Sequence, residues 1–128
     1  MIISGIFSAL TEDKGFGVFT KKKIDAGTII EISPVIVMSA KEKVDLEKTK
    51  LYDYLFNWKG KKCCMAMGFV PIYNHSYESN CEYFQDFEYN TIMIKAIRSI
   101  AKHEELTINY NGTFNNKKKV WFEVVQPL

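Results

Sequence analysis

Apolar residues in this chain come in short bursts cut by charged or glycine-containing turns, and no segment sustains the three-four spacing of a long amphipathic helix. The opening MIISGIFSAL predicts a first strand from residues 2–4, and residues 18–20 predict a second across the turn TEDKGFG. TIIEISPVIVM, residues 28–38, follows the turn signal DAG and predicts a strand interrupted at Pro34. Proline offers no N–H to a ladder, so that point should be an edge, bend or bulge. SAKEKVDLEK places Ser39 three residues before Glu42, a capping-box pattern that predicts a short helix or charged loop. LYDYLF, residues 51–56, alternates poorly but is aromatic and should be partly buried. CEYFQDF and NTIMIKAI, on either side of Glu88-Tyr89-Asn90, predict a hairpin. IRSIAKHEELTINY should end in a strand over 106–110, and KKKVWFEVV sets Trp121 and Phe122 to fold back as an aromatic lid. The pattern describes a mainly β domain of many short strands with little helix.

A length of 128 residues suits one domain with a real core, and 47% apolar residues suit a chain that folds. Seventeen Lys and Arg against fifteen Asp and Glu leave a net charge of +2, too balanced to predict direct, sequence-specific nucleic-acid binding. Lysines do cluster at 21–23, at 59, 61 and 62, and at 117–119, either as solvated turns or as a basic rim for an acidic or DNA-bound partner. Cys63, Cys64 and Cys81 form no C-x-x-C pair, and an odd count argues against a disulfide framework. The apolar start lacks a basic leader, and no run reaches the roughly 20 apolar residues that span a membrane. A soluble, intracellular protein is expected.

IYNHSYESNC, residues 72–81, invites a catalytic or metal reading. Adjacent His75 and Ser76 diverge on one element and make a poor base–nucleophile pair, and no G-x-S-x-G elbow is present. Two histidines and three cysteines lack the spacing of a zinc site, so no metal is expected. Cys81 with His103 has no supporting motif, and a buried cysteine commonly serves as a small hydrophobe. The short Gly15-Phe16-Gly17 turn is weak alone, although glycines let backbone approach a ligand closely. AMGFVPIYNHS adds a second Gly-aromatic turn and ELTINYNG a strand-ending Tyr110.

Taken together, GFGVFTKKKIDAGTIIEI, YNHSYESNC and EELTINYNG resemble the three signature blocks of the SET domain, in the family's order and roughly its spacing. The chain is most similar to the smallest stand-alone viral and bacterial members, DYLFNWKGKKCCMAMGFVPIYNHS to the viral form in particular. The resemblance implies a fold of several short curved sheets, few short helices and a C-terminal pseudoknot, with the SET domain over 1–112 and a tail over 113–128 in the same domain. It implies an S-adenosylmethionine-dependent protein lysine methyltransferase, releasing S-adenosylhomocysteine, with a lysine-bearing basic tail, of histone H3 or another basic protein, as substrate. Gly15, Phe16 and Gly17 resemble the backbone that holds the cofactor, Asn74 the side chain that fixes its amino-acid end, and His75 the backbone contact to adenine. Phe114, Trp121 or Phe122 would stack on adenine. Tyr110 resembles the catalytic tyrosine, while Tyr54, Tyr83 and Ile108 would join it along the lysine channel, Tyr83 limiting how many methyls are added. The pseudoknot implies contact between 72–76 and 106–111.

Two departures stand out. The family's usual Gly-Glu-Glu-Leu turn is His103-Glu104-Glu105-Leu106 here, and histidine tolerates a left-handed turn better than most side chains. The zinc-binding flanks of many eukaryotic members are missing, so the aromatic tail or a second subunit in a homodimer would have to close the channel. The resemblance leaves rival functions open: a non-catalytic SET-like module that binds protein or chromatin, and a methyltransferase of non-histone bacterial proteins. Its setting would be cytoplasmic, or nuclear in a host cell for a viral protein or secreted effector.

Overall fold

Two antiparallel hairpins and one long strand carry the architecture, which a computed structural model describes over residues 1–111. Strands β1 (Ile6–Leu10) and β2 (Phe16–Thr20) pair with Leu10 opposite Phe16. Their connection is pinned by Thr11, whose N–H and hydroxyl both donate to the Gly15 carbonyl at 2.7 Å. Gly15 sits at φ +73°, a left-handed conformation that costs glycine nothing and other residues something. The first strand thus begins at Ile6, later than the apolar run predicts. Residues 2 and 3 contact the next sheet instead, through an Ile2–Glu31 bridge and an Ile3 N–H to Ile30 carbonyl bond.

Strand β3 (Ile29–Met38) is continuous through Pro34. Residues 29–34 pair with β8 (Thr91–Ala96), whereas residues 35–38 pair with β5 (Cys63–Ala66). Proline falls at the hand-over between partners, where its missing donor is not required, and its carbonyl still accepts from Met67 N–H at 3.0 Å. The register irregularity lies elsewhere, between Ile29 and Glu31. Helix α1 (Ala40–Leu46) starts on the expected capping box, with Glu42 N–H on Ser39 Oγ at 3.1 Å and Ser39 N–H on Glu42 Oε1 at 3.0 Å. A 3₁₀ turn over Lys50–Tyr54 and the two-residue β4 (Phe56–Asn57) account for the poor alternation of LYDYLF. β7 (Cys81–Asp86) and β8 form the expected hairpin, its turn held by Asp86 Oδ1 accepting from the N–H groups of Glu88 and Tyr89, each at 3.0 Å.

The strands assemble as one sheet of order β1-β2-β9-β6 and another of order β4-β5-β3-β8-β7, with β6 at Asn74–His75 and β9 at Glu105–Ile108. Val18, Leu106 and Ile108 from the first sheet and Ile30, Ile92 and Ile94 from the second are fully buried in one shared core, together with Ile100 and Tyr73. Within this frame β6 and β9 run parallel, Asn74 opposite Thr107 and His75 opposite Ile108. Asn80 ties the same crossing from the side: its amide nitrogen donates to the Glu105 carbonyl at 2.8 Å and to Glu104 Oε2 at 3.0 Å, and its oxygen accepts from Thr107 N–H at 2.9 Å. The turn leading into β9 places His103 at φ +70°, its N–H on the Thr20 carbonyl at 2.7 Å, so histidine does occupy the left-handed position. Among the described residues, no helix is long and apolar enough to cross a membrane.

Candidate active site

β9 stops at Ile108, short of the strand expected over 106–110, because the next backbone donors are claimed from outside the ladder. Tyr110 N–H donates to His75 Nδ1 at 3.0 Å, and Asn111 N–H donates to Asn109 Oδ1 at 2.9 Å. The chain therefore turns, and the Tyr110 ring swings back over the segment before β6. Its hydroxyl donates to the Tyr73 carbonyl at 2.8 Å, while its own carbonyl accepts from the Tyr83 hydroxyl at 3.2 Å. Three residues, Tyr73, His75 and Tyr83, thus fix Tyr110. Burial, followed by the charges of Tyr54, Asp53 and Glu105, raises the Tyr110 pKa above the ordinary tyrosine value, so the group remains a neutral phenol.

Two cavities meet at this phenol. The larger, about 250 Å³, is lined by Lys14, Phe16, Ile72 and Asn74 together with Asp53, Tyr54, Pro71 and Tyr110. The smaller, about 70 Å³, shares the last four and adds Phe56, Tyr83 and Gln85 among its walls. Phe56 and Tyr83 meet edge to face with centroids 5.1 Å apart, giving the small cavity an aromatic wall. Burial, then the neighbouring Cys64, pushes the Tyr83 hydroxyl up to about 12.

Asn74 organises the floor of the larger cavity. Its amide nitrogen donates to the Phe16 carbonyl at 3.2 Å and to Glu105 Oε2 at 2.8 Å, which leaves Oδ1 uncommitted among the described residues. Gly17 is required for this approach. A Cβ there would lie 2.5 Å from Glu105 Oε2 and 3.0 Å from Asn74 Nδ2, so any side chain would push these two side-chain tips out of their bonded arrangement. The Phe16 ring is more than half exposed and faces the cavity rather than the core.

The His75 ring is buried and acts as an acceptor, packing 5.0 Å from the Tyr110 ring and 4.4 Å from the Tyr77 ring. Burial, then the charge of Lys14, lowers its pKa to about 4. The unfolded chain binds a proton near pH 6.5 that the folded chain refuses until about pH 4, so stability falls as pH drops through that window and levels below it. Urea unfolding at pH 7.5 and 4.5 should show this loss. It should be shallower in His75→Asn, whose amide oxygen can accept the Tyr110 bond without titrating.

Ser76 shows no nucleophilic arrangement: its N–H donates to the Ile108 carbonyl at 3.0 Å and its hydroxyl accepts from Glu78 N–H at 3.1 Å. Cys81 is fully buried, and burial pushes its thiol up to about 12, far from a reactive thiolate. Of the residues singled out from sequence, Phe16, Asn74, Tyr54, Tyr83 and Tyr110 converge on the two cavities. Ile108 does not: pairing with His75 turns its side chain fully into the core, and Phe56 lines the small cavity instead. Phe114, Trp121 and Phe122, with the tail over 113–128, lie outside the described residues. Lys14, Asp53, Phe56 and Glu105 were not singled out. Each lies within or beside a quoted block, but only the fold reveals that it faces a cavity or Asn74.

The SET domain family matches residues 15–111. Over 114 residues the chain is 36% identical to a Schizosaccharomyces pombe protein named histone-lysine N-methyltransferase, H3 lysine-37 specific, covering 88% of this chain and 74% of that protein. A crystal structure of a Plasmodium falciparum protein, described as a candidate histone methyltransferase, aligns with a TM-score of 0.64 at 28% identity, over 88% of this chain and 98% of that one.

Proposed function

The chain belongs to the SET domain family of protein lysine methyltransferases, and from that premise we propose that it methylates a lysine of histone H3 at the site where its two cavities meet. The observation that carries this reading is the position of Tyr110, shared by a larger cavity that holds Lys14 and Asn74 and a smaller one with an aromatic wall. The larger cavity suits the amino-acid end of S-adenosylmethionine. Lys14 offers a cation for a carboxylate, and the uncommitted Asn74 Oδ1 offers an acceptor for an ammonium. When bound, that cofactor supplies an electrophilic methyl on a sulfonium.

The chain's own contribution is positional. Aligning two reactants within one site can supply roughly 7–11 kcal/mol toward a displacement of this kind. The small cavity admits an extended side chain between Tyr54, Phe56 and Tyr83, and aromatic faces tolerate a cation on its way in. The aromatic faces of Phe56 and Tyr83 disfavour an ammonium held against them and so lower the pKa of a lysine there from about 10.4. The Tyr110 hydroxyl, anchored on the Tyr73 carbonyl, keeps its oxygen lone pairs available to the reacting centre without being ionised.

Labelled methyl transfer to an H3 peptide carrying lysine 37 tests the reading, with a cell lysate as the broader substrate. Because only the neutral amine attacks, the rate with chemistry limiting should climb between about pH 7 and 9, in step with the deprotonated fraction of the target lysine. A flat profile would argue against unaided deprotonation in the channel. Cofactor binding without labelling of peptide or lysate would instead favour a binding module.

A further inference from the structure

Asp53 is exposed and lines both cavities, and it is the only charged residue among the four they share. The small cavity has no other charged residue in its described lining. Lys14, the second charge of the larger cavity, does not line the small one, and among the described residues no ion pair joins it to Asp53. The Asp53 carboxylate is exposed, and among the described residues no hydrogen bond or ion pair engages it. Its backbone is held in the 3₁₀ turn over Lys50–Tyr54, closed by Tyr52 N–H on the Thr49 carbonyl at 3.2 Å and Leu55 N–H on the Tyr52 carbonyl at 3.3 Å. Its charge is felt at the phenol, where it helps raise the Tyr110 pKa.

We propose that Asp53 is a recognition residue for the charged form of the target lysine, receiving its ε-ammonium at the mouth of the aromatic channel. A lysine with its ordinary pKa near 10.4 arrives protonated at neutral pH. Aromatic walls attract a cation over a short range, whereas a carboxylate at the entrance attracts it over several ångströms and selects against uncharged side chains. Among the described residues the same anion makes no ion pair with Lys14, which leaves that cation to a carboxylate. The role is one of binding only: the bond is an ion pair, and no proton passes to Asp53.

This inference rests on the methyltransferase reading, and two H3 peptides separate the two. One carries lysine at position 37 and the other norleucine, which keeps the alkyl chain and removes the charge. Binding is measured by calorimetry in the presence of S-adenosylhomocysteine, at low and at high salt. Asp53→Asn should weaken the lysine peptide about three- to tenfold at low salt, the range of a partly screened ion pair. It should leave the norleucine peptide unchanged, narrow the salt dependence, and raise KM by a similar factor with a smaller effect on kcat. Equal weakening of both peptides would mean that Asp53 only shapes the channel, and no change in either would mean that it recognises nothing; each overturns the proposal. If the wild-type protein methylates the peptide, either result leaves the catalytic reading standing. If it methylates neither peptide nor lysate protein, that reading falls and takes this one with it.

Discussion

Tyr110→Phe should lower methyl transfer by about 100-fold or more while cofactor affinity changes little, as expected when one preorganised polar group at a reacting centre is removed. The substitution keeps the ring, its packing on His75 and the Tyr110 N–H bond to His75 Nδ1. It deletes only the hydroxyl, and with it the 2.8 Å bond to the Tyr73 carbonyl. Losing one such bond costs about 1 kcal/mol of stability, too little to unfold the domain. Single-turnover labelling, cofactor calorimetry and urea unfolding on the same preparation separate the three effects. Cofactor binding and transfer lost together would reduce Tyr110 to a structural prop between Tyr73 and Tyr83.

Asn74→Ala should weaken cofactor binding at least about tenfold, equivalent to about 1.4 kcal/mol. The amide holds the Phe16 carbonyl and Glu105 Oε2 at once, so its removal leaves both acceptors without that donor while β2 and β9 stay paired through their backbones. Glu105 is then left near the cavity without its donor, and the acceptor proposed for the cofactor's ammonium is gone. Calorimetric titration with S-adenosylmethionine reads the loss directly, and an unchanged dissociation constant would remove Asn74 from the site.

Much of this was legible because it is local. The Ser39–Glu42 capping box, the 81–96 hairpin and the left-handed tolerance of His103 each depend on a few neighbouring residues, and each appears as sequence reasoning predicts. The meeting of 72–76 with 106–111 was reachable only through family resemblance, since no periodicity signals a parallel pair of two-residue length. Pro34 misled because a missing donor looks like a break, whereas β3 changes partners at that residue. Ile108 misled for a similar reason: proximity to Tyr110 in sequence says nothing about which face a strand presents, and alternation sends Ile108 inward. Asp53 and Lys14 were silent because an exposed charge reads as solvation until the fold gives it a cavity.

The parallel crossing of β6 and β9 also bears on the order in which the protein acquires its activity. Hairpins β1–β2 and β7–β8 close over short chain separations and can form early, but Asn74 must wait for Thr107 and His75 for Ile108. Contacts between distant segments carry the loop-closure cost and tend to come late in folding. The site is therefore absent from any partly folded form: a chain with both hairpins in place still lacks Tyr110 over Tyr73. Local opening of this one crossing would switch the site off while the two sheets stayed paired, and a ligand bridging Asn74 and Tyr110 would stabilise the closed crossing through its own binding free energy.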